Sequence, residues 1–408
     1  MNTNLYNTKR KVMLFDLCIK GHHSNYIRHL IKYWQDKKLF GHLDIVVSAK
    51  FFKKHADVVA LSSDNVKFTA ITDKEEANLN SGKSKVIRNL RNFKEWTIYT
   101  KYAKYLQASH SLLMYFDTYK LPIILGVKSP CPFSGIYFRP TLHYNEFTDY
   151  QPSWKDRAQE LRERFLLSRI LRNSQLQTLF SLDPFAVKHL SKFNSHVKAV
   201  YLPDPVEMLK VSETQPSSIK ENLGVEAGRQ IFLLFGVITA RKGIYQLLES
   251  LLLLPSEVCQ KLCLLIVGES EIKDELEKLI VNICQVKPIQ IIRRYDFIPG
   301  SEVQSYFQLT DFVLAPYQRH VGMSGILLLG AAAQKPILSS NYGLMGEMVR
   351  RHQLGLTVDT TKPEEIASGL TRLLLESPQS LCNHMQMSLF AQENSIERFA
   401  SVIFDHLC

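Results

Sequence analysis

Hydrophobic and polar positions alternate in blocks along the chain, with short apolar runs followed by stretches of helical spacing. The run Val12–Leu17 precedes Tyr26–Leu39, in which apolar residues recur every three or four positions, as on one face of a helix. Helical spacing recurs over Glu95–Gln107 and Asp156–Leu171, the second of which is strongly basic. Further buried strands of the first half are predicted at Leu43–Val47, Ser111–Phe116, Gly135–Phe138, Thr178–Ser181 and Ala199–Leu202.

The alternation restarts in the second half of the chain. Strands are predicted there at Ile231–Phe235, Leu262–Val267, Ile289–Ile292, Phe312–Ala315, Pro336–Ser339 and Leu356–Val358, with helical stretches between them. Strands and helices that alternate through short connections predict an α/β protein with two parallel, doubly wound sheets. Such sheets bind ligands beyond the carboxyl ends of their strands, and two of them would place a substrate site in a cleft between domains.

The predicted boundary between the domains follows from a proline-rich break. Pro203-Asp204-Pro205 ends the first alternation, and a polar stretch follows it. We therefore predict a first domain over residues 1–203 and a second over 204–385. A helical tail over 386–408 would pack back on the first domain.

Composition narrows the class of protein. The 408 residues include 45% apolar and 22% charged side chains, typical of a soluble globular protein. No run reaches the roughly 18–20 apolar residues of a membrane span. Asp16 interrupts the apolar part of the N-terminal segment, which argues for a first strand rather than a signal peptide. Seven scattered cysteines, with Cys259 and Cys263 as core thiols, favour a reducing, cytoplasmic location.

The net charge of +11 is unevenly distributed. Residues 1–200 contain 32 Lys and Arg against 16 Asp and Glu, whereas residues 201–408 contain 18 against 23. The first half is therefore strongly basic and the second half is mildly acidic. Two domains with different partners are expected from this asymmetry.

The richest local motif is FGVITARKG over residues 235–243. A predicted strand ends at Gly236, the adjacent cations Arg241 and Lys242 follow, and a helix begins near Gly243. Glycine lets the backbone approach a ligand and the cations supply charge-assisted hydrogen bonds, so the segment suits a diphosphate. An exposed basic turn would give the same pattern. The motif is not a P-loop, because Gly-x-x-x-x-Gly-Lys-Ser/Thr is absent.

A second loop has a similar organisation. A strand ends at Ala315, and the loop HVGMSG over residues 320–325 opens an apolar helix. Because the first N–H groups of a helix have no intrahelical partner, Gly322, Ser324 and Gly325 are candidate anion-binding residues. Ser324 acting as an ordinary N-cap, with no ligand, is the alternative interpretation. His320 beside this loop is a candidate sugar contact or an ordinary loop residue.

Six ordered segments carry a family resemblance: LPDPV, FGVITARKGIYQLLESL, LLIVGES, IRRYDFIPGSEVQSYFQLTDFVLAPY, GAAAQKPILSSNYGLMGEMV and LGLTVDTTKPEEIASGL. Over about residues 200–375 the chain resembles the nucleotide-binding domain of GT-B glycosyltransferases, specifically the family-4 group of retaining enzymes. The first half is similar more loosely. The fold implied by this resemblance is GT-B, with two doubly wound Rossmann-like domains facing across a cleft.

The resemblance implies transfer of a sugar from a nucleotide diphosphate sugar to a glycan, lipid-linked or small-molecule acceptor, with retained configuration. Lys242, assisted by Arg241, would grip the diphosphate, which gathers negative charge as the sugar becomes oxocarbenium-like. No cofactor or metal is expected, and the chain contains no Asp-x-Asp pair. Further donor-binding residues implied are Gly236, Phe297, Ile298, Gly322, Ser324, Gly325 and Glu347. Glu347 is equally explained as a carboxylate near a helix N-terminus.

The chain departs from the family pattern at three positions. The family usually has an arginine directly after the strand-ending glycine, where this chain has Val237. Two family glutamates, eight positions apart, fall near Val321 and Leu329, and neither residue is acidic. A divergent enzyme that uses Ser324 and backbone N–H groups is one interpretation. A module that binds a nucleotide sugar or a partner protein without turnover is the alternative.

Candidate residues of the first domain lie after predicted strands, where functional side chains are often found. Gly21, His22 and His23 follow the first strand and resemble the glycine loop that approaches phosphates or acceptor in the family. Arg139 and His143 follow a later strand, and either would match a catalytic-region histidine of the family. Tyr144 completes the predicted acceptor loop. An inert surface histidine is the ordinary alternative for each imidazole.

Two basic stripes in the first domain indicate a partner surface. Cations alternate with aromatic and aliphatic residues over 83–104 and again over 157–172. This pattern suits peripheral binding to an anionic membrane surface, and it also suits nucleic acid. A solvated helix face above an ordinary core is the alternative. Nucleic acid ranks last as a partner, because no recognisable nucleic-acid-reading module is present.

Overall fold

The computed structural model describes residues 10–19, 21–79, 84–147, 149–193, 195–207, 220–221 and 223–407. Within these ranges the chain forms two compact units. Unit 1 contains the described residues of 1–143, 152–205 and 396–408, and unit 2 contains those of 144–151 and 206–395. Each unit is built on one sheet in which all strand pairs are parallel.

Unit 1 has a seven-stranded sheet of order β3-β2-β1-β4-β5-β6-β7. Its strands are β1 (Lys11–Asp16), β2 (His42–Val47), β3 (Val66–Ala70), β4 (His110–Leu113), β5 (Phe133–Tyr137), β6 (Leu176–Ser181) and β7 (Lys198–Tyr201). Its first eight helices are α1 (His23–Asp36), α2 (Ala49–Lys54), α3 (Ala56–Val59), α4 (Asp73–Asn78), α5 (Lys85–Tyr105), α6 (Lys120–Ile124), α7 (Trp154–Ile170) and α8 (Pro184–Ser191).

The sheet of unit 1 is covered by apolar clusters on both faces. The central strand β1 contributes Val12 and Leu14 to one cluster and Met13 and Phe15 to the other, since successive side chains of a strand point to opposite faces. Helix α1 packs on the first cluster through the helical spacing of its buried apolar residues, which include Ile27. Burial on both faces explains why the strands are continuous apolar runs.

Unit 2 has a six-stranded sheet of order β10-β9-β8-β11-β12-β13. Its strands are β8 (Gln230–Phe235), β9 (Leu262–Val267), β10 (Gln290–Arg294), β11 (Phe312–Ala315), β12 (Ile337–Ser340) and β13 (Gly355–Val358). Its helices are α9 (Ile244–Leu253), α10 (Ser256–Lys261), α11 (Lys273–Val286), α12 (Gly300–Leu309), α13 (Gly325–Ala332), α14 (Gly343–Arg351), α15 (Pro363–Leu375), α16 (Pro378–Leu381) and α17 (His384–Glu393).

The predicted tail over residues 386–408 is divided between the units. Helix α17 contacts unit 2, where the rings of His352 and Phe390 lie 4.4 Å apart. The last helix, α18 (Ile396–His406), is assigned to unit 1 and packs on α1. There Phe404 lies 5.2 Å from the Trp34 ring and Phe399 lies 4.9 Å from the ring of Tyr26.

The predicted strands of both halves are present, with ends that differ by a few residues. The unpredicted elements of the first half include the half-buried strand β3, the short helices α2, α3, α4, α6 and α8, and the first ten residues of α5. The loop tip expected at residues 81–83 lies outside the described residues. Segment 144–151, which follows β5 and was expected in the first domain, groups with unit 2.

The cysteines are thiols in the described part of the chain. Cys259 and Cys263, expected as core thiols, are both fully buried and free. Among the described residues, none of the helices combines the length and the apolar character needed to span a bilayer.

Candidate functional site

The candidate site of unit 2 is built on the loop after β8. Gly236 ends the strand with φ of 92°, a left-handed conformation that favours glycine. The Nζ of Lys242 donates to the carbonyl oxygen of Phe235 and would lie 2.8 Å from any Cβ at position 236. Lys242 is only 6% exposed. A buried amine is thus fixed at the carboxyl end of the central strand, beside a backbone that only a glycine leaves open.

Gly243 sets the position of Lys242. It has φ of 75°, and a Cβ there would lie 1.9 Å from the carbonyl oxygen of Pro316. The amide of Gln318 donates to the carbonyl of Arg241 over 2.9 Å, and its side chain donates to Thr360 O over 2.7 Å. The loop after β8 is therefore locked to the loop after β11 through backbone contacts.

Tyr317 connects the two predicted motifs. Its ring lies 5.3 Å from the Arg241 guanidinium carbon and 5.2 Å from the Nζ of Lys242. Its hydroxyl accepts a 3.0 Å hydrogen bond from the Ser324 hydroxyl. Cations over an aromatic face are attracted by the ring quadrupole, so Tyr317 holds both cations in one orientation. The structure thereby brings Arg241, Lys242 and Ser324 together around a residue that was not among the predicted site residues.

The second predicted loop leads into α13. Ser324 precedes the helix in extended conformation, but its side chain makes no capping bond to the helix. Ser324 is therefore the N-cap residue by position, as the alternative interpretation expects, but its hydroxyl donates to Tyr317 rather than accepting from the helix. Gly325 is the first helical residue, where backbone N–H groups lack intrahelical acceptors. Gly322 lies beside the His320 ring, whose Nε2 donates to Met323 O over 3.3 Å.

The three positions that depart from the pattern of the resembled family all lie in unit 2. Val237 directly follows Gly236 and is exposed. Because valine is uncharged, this position supplies no charge to the loop. Val321 accepts a 3.1 Å hydrogen bond from the amide of Leu344, which ties the loop to α14. Leu329 lies within α13 and is half-buried.

Glu347 is placed inside a helix rather than at its start. It lies in the middle of α14, pairs with Arg350 over 3.3 Å, and also pairs with Arg351. The interpretation as a carboxylate in the first turn is therefore wrong. Arg350 also donates to Asp149 over 2.8 Å within the same unit.

Phe297 and Ile298 follow β10 and differ in exposure. The Phe297 side chain is exposed, whereas Ile298 is buried. Gly268, after β9, approaches the backbone of Gly236 so closely that a Cβ would lie 2.5 Å from the Gly236 oxygen. The carboxyl ends of β8 and β9 are thus packed backbone to backbone.

The candidate site of unit 1 contains a buried acid and a histidine after β1. Nδ1 of His23 donates to Oδ2 of Asp16 over 2.7 Å, and the amide of Cys18 donates to Oδ1 over 2.9 Å. Burial lowers the pKa of His23, but the charge and hydrogen bond of Asp16 outweigh it and raise that pKa to about 10. The raised pKa favours the protonated imidazole of His23 at neutral pH. Asp16 was noted in the sequence only as an interruption of an apolar run.

Aromatic rings surround this pair at the carboxyl ends of β1, β4 and β5. His23 lies 5.7 Å from the Tyr115 ring and stacks on Phe138 at 6.2 Å. His22 is exposed and stacks on Tyr26 at 5.9 Å. Gly21 opens this loop with φ of 72°. Apolar and aromatic side chains with a few placed polar groups are the usual lining of small-molecule sites.

Arg139 and His143 are placed in different environments. Arg139 is exposed just beyond β5. His143 is buried, with Nε2 2.9 Å from Oδ2 of Asp183 and its ring 5.4 Å from His189. Asp183 also caps α8 by accepting from the amides of Phe185 and Ala186. Tyr144 is buried and packs on Phe147 and Tyr150 within unit 2.

The structure thus brings Gly236, Arg241, Lys242 and Ser324 together around Tyr317. It places Arg139, His143 and Tyr144 of the predicted acceptor loop in different environments. Tyr317, Asp16 and Asp183 were not predicted as site residues. Each meets its partners through contacts that no sequence motif marks. Within the described ranges, no three His, Cys, Asp or Glu side chains gather closely enough to hold a metal ion. The expectation of a metal-free site stays a prediction.

Comparison with known proteins gives a family match that lies within unit 2. Residues 229–376 match the family model described as Glycosyl transferases group 1. The chain is 25% identical over 169 residues to the uncharacterized glycosyltransferase MJ1607 of Methanocaldococcus jannaschii, a match that covers 41% of each chain. The matched part thus spans about two fifths of the length of that relative.

Solved structures resemble the whole chain. The N-terminal domain of trehalose-6-phosphate phosphatase from Candida albicans has a TM-score of 0.72 at 11% identity, covering 100% of this chain and 98% of the other. Alr3699/HepE of Anabaena, solved in complex with UDP and glucose, has a TM-score of 0.65 at 13% identity, covering 97% and 98%. At these identities the likeness establishes the fold, and it confirms the predicted architecture of two parallel-sheet Rossmann-like domains.

Proposed function

We propose that this protein transfers a sugar from a nucleotide diphosphate sugar to an acceptor alcohol, because residues 229–376 match the Glycosyl transferases group 1 model and the chain has a GT-B fold. The observation that carries the proposal is the buried Lys242 amine at the carboxyl end of β8, beside Gly236 and Tyr317. A fixed cation stabilises a leaving diphosphate more in the transition state than in the ground state, because negative charge develops there.

Each residue of the unit 2 site has a role in this proposal. Lys242 donates to the diphosphate after exchanging its bond to the Phe235 carbonyl, and Arg241 adds charge from the exposed side of Tyr317. The hydroxyl of Ser324 and the first N–H groups of α13, beginning at Gly325, contact the phosphates. Gly236 provides the close backbone approach. Phe297, with its exposed ring, and the backbone of Ile298 contact the base.

The proposal for unit 1 concerns the acceptor. His22 and His23, with the rings of Tyr115 and Phe138, contact the acceptor, and Arg139 contributes charge beside them. The acceptor is a glycan, a lipid-linked sugar or a small molecule. The buried His143 acts by positioning the loop after β5 through Asp183. A cytoplasmic location, peripheral binding to a membrane, retention of configuration and independence from metal ions belong to the same proposal.

A catalytically degenerate module is the second candidate. It is favoured by the absence of an acid near Val321 and Leu329, where the resemblance to family-4 enzymes leads us to expect two glutamates. Such a module would bind the nucleotide sugar without transferring the sugar.

Two measurements separate the candidates. Melting temperature is first recorded with nucleoside diphosphates and their sugars, beginning with the uridine series because HepE is solved with UDP. Absence of any stabilisation contradicts both candidates. Release of nucleoside diphosphate with a cell extract as acceptor source then supports the enzyme, whereas binding without release supports the module. Release unchanged by EDTA, and an anomeric assignment of the product by NMR, test metal independence and retention.

A further inference from the structure

The turn after β1 brings a thiol and an imidazole onto one carboxylate. The backbone amide of Cys18 donates to Oδ1 of Asp16 over 2.9 Å, and Nδ1 of His23 donates to Oδ2 over 2.7 Å. The side chains of Asp16 and His23 are only 2% and 13% exposed. Because each oxygen of this carboxylate holds one partner, Cys18 and His23 are fixed as neighbours.

The Cys18 thiol completes a row of three interacting groups. It contacts the His23 imidazole through a side-chain hydrogen bond, and its charge also acts on that ring. A carboxylate that orients an imidazole, which in turn contacts a thiol, is the arrangement that activates a nucleophile. A protonated imidazole favours the thiolate beside it. The thiol is also partly exposed, so a small reagent can reach the sulfur.

The other cysteines of the described ranges lie in environments that oppose ionisation. Burial raises the pKa of the thiols of Cys131, Cys259, Cys263 and Cys382. Desolvation also raises the pKa of Cys284, which is the exposed member of this set. Since the thiolate rather than the thiol is the nucleophile, these five side chains are expected to react slowly at neutral pH.

Charged and titratable groups on neighbouring elements act on the same turn. Burial raises the pKa of Tyr115, after β4, and the positive Arg139, after β5, acts against that rise. Burial also raises the pKa of Glu95 on α5, which interacts with the charge of Asp16. His55 contacts the backbone of the turn through Nε2 over 3.2 Å. Because histidines ordinarily ionise near neutral pH, His55 needs its own control in a pH profile.

We infer that Cys18 is a site of covalent modification by small disulfides through thiol–disulfide exchange. The Cys18 thiolate attacks one sulfur of the disulfide, a new S–S bond forms to Cys18, and the original S–S bond breaks. The departing sulfur leaves as a thiolate and takes a proton from solvent. Cys18 is thereby oxidised to a mixed disulfide, and the other half of the reagent is reduced to a thiol. The inference goes beyond sugar transfer and stands whether or not the protein has that activity.

The test uses the full chain carrying Cys408→Ser, because Cys408 lies outside the described residues. Dipyridyl disulfide is the uncharged reagent, and digestion followed by mass spectrometry gives the modification rate of each cysteine. We expect Cys18 to react at least about 10-fold faster than Cys284 near pH 6, although Cys284 is more exposed. An ordinary thiol ionises near pH 8.5, so its rate rises about 10-fold per pH unit below that value. The Cys18 rate should change little between about pH 6 and 8.

Removal of the imidazole tests the source of the reactivity. His23→Gln should lower the Cys18 rate about 10-fold near pH 6 and give it the pH dependence of an ordinary thiol. His55→Gln and the exposed His42→Gln should both react as the unsubstituted protein does. The comparison of Cys18 with Cys284 is made within one protein, so it decides the matter even where a variant fails to fold.

Three results would overturn the inference. The first is a Cys18 that reacts no faster than Cys284 in the folded protein. The second is equal slowing of Cys18 by His23→Gln and by His42→Gln. The third is a pH profile of the Cys18 rate that changes with His55→Gln and not with His23→Gln.

Discussion

The two units use positive charge in opposite ways. Unit 2 lies in the mildly acidic half of the chain and buries one amine, Lys242, between a glycine backbone and an aromatic ring. Unit 1 lies in the strongly basic half and displays its cations on exposed helix faces such as α7. A single desolvated and oriented cation can stabilise a developing charge, whereas exposed cations act through their summed field and are screened by salt. The chemistry of a site therefore does not follow the net charge of its domain.

The largest effect is expected from removing the buried amine. Lys242→Met keeps the aliphatic stem but takes away the charge and the bond to Phe235 O. If one fixed cation serves the leaving diphosphate, release of nucleoside diphosphate should fall about 100- to 1000-fold. Lys261→Met, which removes an exposed lysine of the same unit, should leave the rate unchanged. Equal rates of nucleoside diphosphate release by Lys242→Met and Lys261→Met would contradict a special role for the buried amine.

The rigidity of the unit 2 loop is tested next. Gly243→Ala must hold a left-handed residue and place a Cβ against Pro316 O, so it should lower the free energy of unfolding by about 2–4 kcal/mol. The matched change is Gly300→Ala, where a Cβ meets open space. Chemical denaturation of both variants measures the difference. A Gly243→Ala protein as stable as the wild type would mean that the loop is not locked as described.

The ion pair of unit 1 predicts a dependence of stability on pH. Because the pKa of His23 is raised to about 10 from an unfolded value near 6.5, its stabilising contribution is complete below about pH 6.5. That contribution is lost as the pH rises toward 10. Asp16→Asn should remove about 2 kcal/mol near neutral pH and flatten this part of the profile, while the exposed Asp36→Asn should not. A wild-type profile that rises between pH 7 and 10 relative to Asp16→Asn would contradict the assignment.

A smaller effect is expected at the residue that joins the two motifs of unit 2. Tyr317→Phe keeps the ring beneath Arg241 and Lys242 but removes the acceptor of the Ser324 hydroxyl. The free energy of unfolding should fall by about 1 kcal/mol, with modest change in turnover. Tyr245→Phe removes a surface hydrogen bond to Glu275 and should cost less. A loss in turnover as large as that of Lys242→Met would mean that the hydroxyl contacts the substrate.

The sequence was informative where neighbouring residues carry the structure. The segment FGVITARKG predicted the unit 2 loop, because strand, glycine and cations follow one another directly. The same holds for the buried strands, whose apolar runs result from burial on both faces. Strand β3 was missed because it is half-buried and lacks such a run.

Long-range contacts and exposure were not predictable in the same way. Lys242 and Tyr317 meet across two loops, and no local pattern marks the tyrosine. Helical spacing identifies a face of α7 but does not say whether that face meets core or solvent, so the exposure of Trp154 and Phe165 needed the structure. Likewise, nothing in the sequence indicated that His143 lies buried against Asp183.

The central claim is that unit 2 recognises a diphosphate through Lys242. It is tested most directly by calorimetric titration of the wild type and of Lys242→Met with the diphosphate and the monophosphate of each nucleoside. For the base that binds, the wild type should prefer the diphosphate by about 10-fold or more, in line with one charge-assisted contact, and the variant should lose that preference. Equal preference in both proteins would contradict the account.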